Sequence, residues 1–150
     1  MANEDHPLTE AEFKSIYAKV PRLCVEIIVK NKSGAVYLTK RAIEPCKGQW
    51  HVPGGTVRFG EPMPGAVRRI AARELGIDVQ HSKNVGYIEY PSHYENGLDC
   101  PVGIVFEVEK YTGDFVPNQE SQETGWFAAM PGNMHPDQDE FLIANGYWQS

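Results

Sequence analysis

The sequence predicts an α/β fold in which a mixed β-sheet is covered by helices. Three observations carry this expectation. Apolar residues recur at helical spacing near each end of the chain and once in the middle. Between those segments lie short runs rich in β-branched and aromatic residues, of strand length. Gly, Pro, Asn and Asp mark most of the boundaries. A sheet with helices on its faces buries the apolar side of both element types.

The first helix is expected over Thr9 to Val20. Thr9 and Glu12 have capping-box spacing, Phe13, Ile16, Tyr17 and Val20 recur at helical intervals, and Pro21 stops the element. Residues 22–30 read as a strand. Asn31 to Gly34 is turn material, and AVYLTKR follows as a second strand, so residues 22–41 predict a hairpin. A loop with Pro45 and Gly48 leads to QWHVPGG. Pro62 and Pro64 suit the start of a helix. Met63, Val67, Ile70, Ala71 and Leu75 then form a buried stripe, and Gly76 caps the end. Strands are expected at 84–90 and 101–109, joined by the polar loop SHYENGLDCP. Gly125 to Ala129 is a short apolar piece after an acidic loop. Pro136 and Asp137 open a last helix containing Phe141, Leu142 and Ile143.

The 150 residues fit one domain, 1–150, with one sizeable core. Hydrophobic residues at 41% and charged residues at 23% fit a globular protein. A net charge of −6 supplies no broad basic surface, so no stable nucleic-acid complex is expected. A local basic pocket for a small phosphate compound stays open. Apolar stretches are strand-sized, which predicts no membrane span. The start, MANEDHPLTE, does not read as a secretory signal, so a cytoplasmic setting is expected. Cys24, Cys46 and Cys100 lack the paired spacing of a zinc or redox motif and read as isolated thiols.

Chemistry concentrates in Gly54 to Ile77, GGTVRFGEPMPGAVRRIAARELGI. A Gly-Gly backbone can come close to a ligand, and its carbonyl offers an oxygen. Glu74 adds a carboxylate late on the helix. Such oxygen donors suit magnesium or manganese, with substrate phosphates completing the shell.

This segment resembles the box of the Nudix hydrolase superfamily. The family pattern is Gly, five residues, Glu, seven residues, Arg-Glu, an apolar residue, any residue, Glu-Glu, any residue, Gly and an apolar residue. Gly55, Glu61, Arg69, Ala71, Glu74, Gly76 and Ile77 match in register, and Trp50 and Pro53 fit the approach. The resemblance implies an α/β/α sandwich and a metal-dependent hydrolase, with Mg2+, or possible use of Mn2+, held by Gly55 and Glu74. Two positions depart from the pattern: Ile70 replaces the Glu after Arg69, and Arg73 replaces the first Glu of the pair. One ion is therefore easier to support than several.

The same departures resemble the GDP-mannose mannosyl hydrolase branch. That resemblance implies nucleotide sugars such as GDP-mannose as substrates, attack at the anomeric carbon, and a homodimer. Arg41 is expected at a phosphate-binding position and Glu26 at an acidic position of the nucleotide site. Arg58, Arg69 and Arg73 are further phosphate or nucleotide candidates, with Arg69 more readily pairing with Glu61. The branch's catalytic histidine falls at Ser121, a poor base. Glu120, at an adjacent metal-binding position, becomes a candidate ligand or base, and Glu123 is the second candidate base. The alternatives are a nucleoside di- or triphosphate pyrophosphohydrolase attacking phosphorus, and a weakly active or non-catalytic nucleotide-binding domain. His93 and Tyr94 are candidates to touch base or sugar, against the reading of a surface loop. His51 and His135 read as structural. Trp50 and Trp126 read as core aromatics, and Trp148 as a residue for a dimer contact.

Overall fold

The computed structural model describes residues 6–116 and 121–149, with the side chains of Ser121 and Gln122 outside that description. The elements are α1 (Glu10–Tyr17), β1 (Arg22–Ile28), β2 (Val36–Arg41), β3 (Trp50–His51), β4 (Gly54–Thr56), α2 (Met63–Leu75), β5 (Asp78–Glu89), α3 (Pro91–Tyr94), β6 (Pro101–Thr112), β7 (Ser121–Phe127) and α4 (Pro136–Ala144). A four-stranded sheet has the order β4-β1-β6-β5, and a three-stranded sheet has the order β3-β2-β7. The larger sheet is mixed, because β1 runs parallel to β6 while its other pairs are antiparallel.

β1 lies at the centre of the larger sheet and is buried on both faces. Val25, Ile27 and Val29 meet Val67, Ile70, Ala71 and Leu75 of α2 in one core. Ile28 faces the other way, into a second core with Ile88, Val105 and Leu142 of α4. Helices thus cover both faces, giving the α/β/α arrangement.

The expected hairpin closes only at its turn. Asn31 Oδ1 accepts from the N–H groups of Ser33 and Ala35, and Lys30 bridges Val36. Beyond that point β1 and β2 enter different sheets, because β4 and β6 occupy both edges of β1. β5 begins at Asp78, well before residue 84, and forms a long ribbon with β6. Its outer half is largely exposed, so it lacks the apolar run that marks a strand in sequence. The acidic stretch before Trp126 is strand β7, paired with β2 and supported by Lys40 against Glu123. The polar loop after β5 contains the short helix α3.

The α1 capping box is formed, but the helix ends at Tyr17 and buries none of its residues. α2 places Pro64 in its first turn and ends at Gly76, whose φ of 72° is left-handed, as a glycine cap allows. Trp148 corrects the expectation of a dimer contact. It is buried in the second core, and its indole N–H donates to the Phe127 carbonyl at 3.1 Å. Trp126 is partly exposed, beside Tyr37 and Phe115. Among the described residues, no helix is long and apolar enough to cross a membrane.

Candidate functional site

The box builds its own scaffold first. Arg69 donates from Nε to Glu61 Oε2 at 2.8 Å and from its terminal nitrogen to Glu61 Oε1 at 3.0 Å. The same nitrogen donates to the Thr56 carbonyl at 2.9 Å. Glu61 also accepts from the Arg58 backbone N–H at 3.0 Å. These bonds to Arg69, with the Arg58 N–H, hold the Glu61 carboxyl below its ordinary value. The turn between β4 and α2 is thereby tied to the helix.

Above that scaffold lies a small cavity of about 80 Å³, lined by Gly55, Ile70, Arg73 and Glu74 with Arg41 and His51. Gly55 passes close to the helix: a Cβ there would lie 3.0 Å from Ile70 Cδ1. Ile70 is 2% exposed and belongs to the α2 core, so this position serves packing rather than coordination. Arg73 is exposed at the rim. The donors present, a glycine backbone and one helical carboxylate, fit a single hard cation better than a multi-ion cluster.

A cavity of about 940 Å³ shares Arg41, His51, Gly54 and Gly55 with the smaller one. Phe13 and Tyr17 of α1 wall one side. Arg41 reaches both spaces, and its Nε donates to the Pro45 carbonyl at 2.7 Å. Glu26 lies in the wall beneath Gly54 and Gly103, where a Cβ at either glycine would collide with its side chain. Tyr90 donates to Glu26 Oε1 at 2.8 Å, and Gln138 Nε2 donates to the Tyr90 hydroxyl at 2.9 Å. Gln138 Oε1 accepts from the Val52 N–H at 2.8 Å. Glu26 Oε1, the Tyr90 hydroxyl and both polar atoms of the Gln138 amide are thereby partnered. Burial pushes the Glu26 carboxyl up to about 7, against the pull of Tyr90 and Arg22.

The sequence reading missed one cluster entirely. Cys46 from the β2–β3 loop, His93 from α3 and His135 at the start of α4 present ligand atoms within 4.8 Å of one another. All three line the larger cavity. The cysteine is thus not an isolated thiol, and both histidines belong to the cavity wall. Separations of 47 and 42 residues between the interacting side chains left no local spacing to detect. Asp99 Oδ1 lies 3.0 Å from His93 Nδ1, and Arg22 holds the other Asp99 oxygen at 2.8 Å. His93 is drawn up to about 9 by Asp99 and Cys46, although burial opposes this. His135 is pushed down to about 4 by burial and by the charge of His93.

Other expected residues fall elsewhere. Glu123 is exposed and pairs with Lys40 at 3.3 Å, and it lines neither cavity. Arg58 also lines neither. Glu120 lies outside the described residues. Tyr94 is exposed, whereas its neighbour His93 faces the cavity. His51 is half-buried in β3, and desolvation of its imidazole pushes it down to about 4.

The NUDIX domain family matches residues 20–143 of the chain. Over 147 residues the chain is 31% identical to the low-salt glycan biosynthesis protein Agl8 of Haloferax volcanii, covering 93% of this chain and 94% of that one. It is 28% identical to an ADP-ribose pyrophosphatase of Methanocaldococcus jannaschii over 71% of this chain and 62% of that one. A MutT NUDIX hydrolase from Burkholderia pseudomallei has a similar structure, with a TM-score of 0.76 and 26% identity over 83% of this chain and 97% of that one. The matched span covers both β-sheets and the box, and the chain therefore belongs to the Nudix family of hydrolases.

Proposed function

We propose that the protein hydrolyses nucleoside diphosphate derivatives with a divalent metal, and that nucleotide sugars such as GDP-mannose are its substrates. The carrying observation is the pair of neighbouring cavities that share Arg41, His51, Gly54 and Gly55 in their walls. The small one suits a metal-bound diphosphate, and the large one suits the organic groups attached to it. The names of the relatives, a glycan biosynthesis protein and an ADP-ribose pyrophosphatase, support a nucleotide derivative carrying a sugar.

In this reading Gly55 and Glu74 hold Mg2+, or Mn2+, with Glu120 as a further ligand. When bound, the ion supplies positive charge that stabilises the departing phosphate oxygen. Arg41 and Arg73 add fixed positive charge beside the diphosphate. Arg69 supports the turn through Glu61, and Arg58, outside both cavities, is set aside as a phosphate contact. Glu26 presents a hydrogen-bonding carboxyl to the nucleotide in the larger cavity, with His93 nearby. Glu120 is the candidate base for activating water, whereas Glu123, paired with Lys40 outside both cavities, is set aside. The homodimer implied by the branch resemblance belongs to the same proposal; light scattering on the purified protein checks it.

Two bond cleavages fit this site. Attack at phosphorus forms a water oxygen–phosphorus bond and releases nucleoside monophosphate and sugar phosphate. Attack at carbon forms an oxygen–carbon bond and releases sugar and nucleoside diphosphate. The altered box, with Ile70 and Arg73 in place of carboxylates, resembles that of the branch that attacks carbon, and this favours that route. A panel of nucleotide sugars and nucleoside triphosphates, run in heavy-oxygen water with Mg2+, tests both parts. Label in the free sugar is the expected result. Label in phosphate moves the reaction to phosphorus, and hydrolysis of triphosphates alone overturns the sugar assignment.

A further inference from the structure

We infer that Cys46, His93 and His135 form a binding site for a borderline-soft divalent cation, zinc foremost, separate from the oxygen-donor position at Gly55 and Glu74. One thiolate and two imidazoles are a donor set that selects zinc, cobalt or nickel over magnesium. The spacing fits. Around a tetrahedral zinc ion, bond lengths place two nitrogens about 3.3 Å apart, and a nitrogen and a sulfur about 3.6 Å apart. Here His93 Nε2 lies 3.0 Å from His135 Nε2 and 3.8 Å from Cys46 Sγ.

The surroundings are those of a ligand set. Asp99 at His93 Nδ1 keeps a proton on that nitrogen and so turns Nε2 toward the cluster as the coordinating atom once its own proton leaves, and Arg22 fixes Asp99. Cys46 is held at a φ of 64°, in the left-handed region that non-glycine residues seldom adopt. Its carbonyl accepts from the Gln49 N–H at 3.1 Å, which secures that turn. Three protein donors with an open side toward the 940 Å³ cavity match a zinc site that keeps a position for a small ligand. Binding requires three proton movements, the first being loss of the Nε2 proton of the charged His93 imidazolium to solvent. The Cys46 thiol releases its proton to solvent. The His135 proton moves to Nδ1, which gives up its 3.2 Å bond from the Asp137 N–H.

The inference stands apart from the proposed substrate, and its test needs no turnover. The chelator-stripped full chain is titrated with Co2+ alone, and thiolate-to-cobalt charge transfer is followed in the near ultraviolet, with Zn2+ then added as competitor. One equivalent of Co2+ is expected to give the band, and Zn2+ to abolish it. Cys46→Ser is expected to remove the band, and His135→Asn to weaken Co2+ binding at least tenfold. Asp99→Asn is expected to weaken it about 10–100-fold. Glu74→Gln is expected to leave the titration unchanged, and circular dichroism checks that each variant is folded. Absence of a band in the folded wild-type chain overturns the inference, as does a band that persists in Cys46→Ser.

Discussion

Ile70 and Arg73 occupy adjacent turns of the same helix and respond to different demands. Ile70 is 2% exposed and touches the Gly55 backbone, so a carboxylate there enters an apolar core. Ile70→Glu is expected to destabilise the protein by at least about 3 kcal/mol, through an unpaired buried charge. A urea melt checks this, and a loss under 1 kcal/mol would show that the core opens to water there. Arg73 is exposed at the rim. Arg73→Glu is expected to change stability by less than about 0.5 kcal/mol and to tighten Mg2+ binding, read by calorimetry. The two departures from the box are therefore unequal, because one is fixed by packing and the other only by charge.

At the scale of elements, legibility followed how locally each structure is determined. α2 was readable because its stripe, its prolines and Gly76 all act within the helix. The start of β5 was not, because pairing with β6 rather than an apolar pattern makes it a strand. The box residues Gly55 and Glu74 were legible by spacing and do line one cavity. The cluster of Cys46, His93 and His135 was not, since a loop, the short helix α3 and the start of α4 bring it together. α1 is an element whose pattern suggested a core and whose position serves the cavity. It buries no residue, yet Phe13 and Tyr17 wall the larger space, their rings 4.7 Å apart. Joint replacement of Phe13 and Tyr17 by Ala is expected to leave Tm nearly unchanged while raising KM several-fold. A large fall in Tm with an unchanged KM would make α1 a structural prop instead.

At the scale of the whole molecule, two cores flank one central strand, and that strand carries Glu26 between them. Its carboxyl rises from an ordinary 4.5 to about 7 in the folded state. A raised carboxyl stabilises the fold fully below pH 4.5, and that stability is lost as pH rises through 7. His51 acts in the opposite sense: lowered to about 4, it stabilises above 6.5 and loses that stability as pH falls toward 4. Comparison with Glu26→Gln isolates the first effect. The stability of wild type relative to this variant is expected to fall between pH 4.5 and 8, by on the order of 3 kcal/mol. A difference that does not vary with pH would mean that Glu26 titrates normally.

The central claim is that one metal position, built on Gly55 and Glu74, supports hydrolysis of a nucleoside diphosphate derivative. Its most direct test is the Mg2+ dependence of nucleotide-sugar turnover in wild type and Glu74→Gln. The variant is expected to need at least tenfold more Mg2+ and to lose at least tenfold in kcat while remaining folded. Mg2+ dependence and kcat both equal to wild type would contradict it.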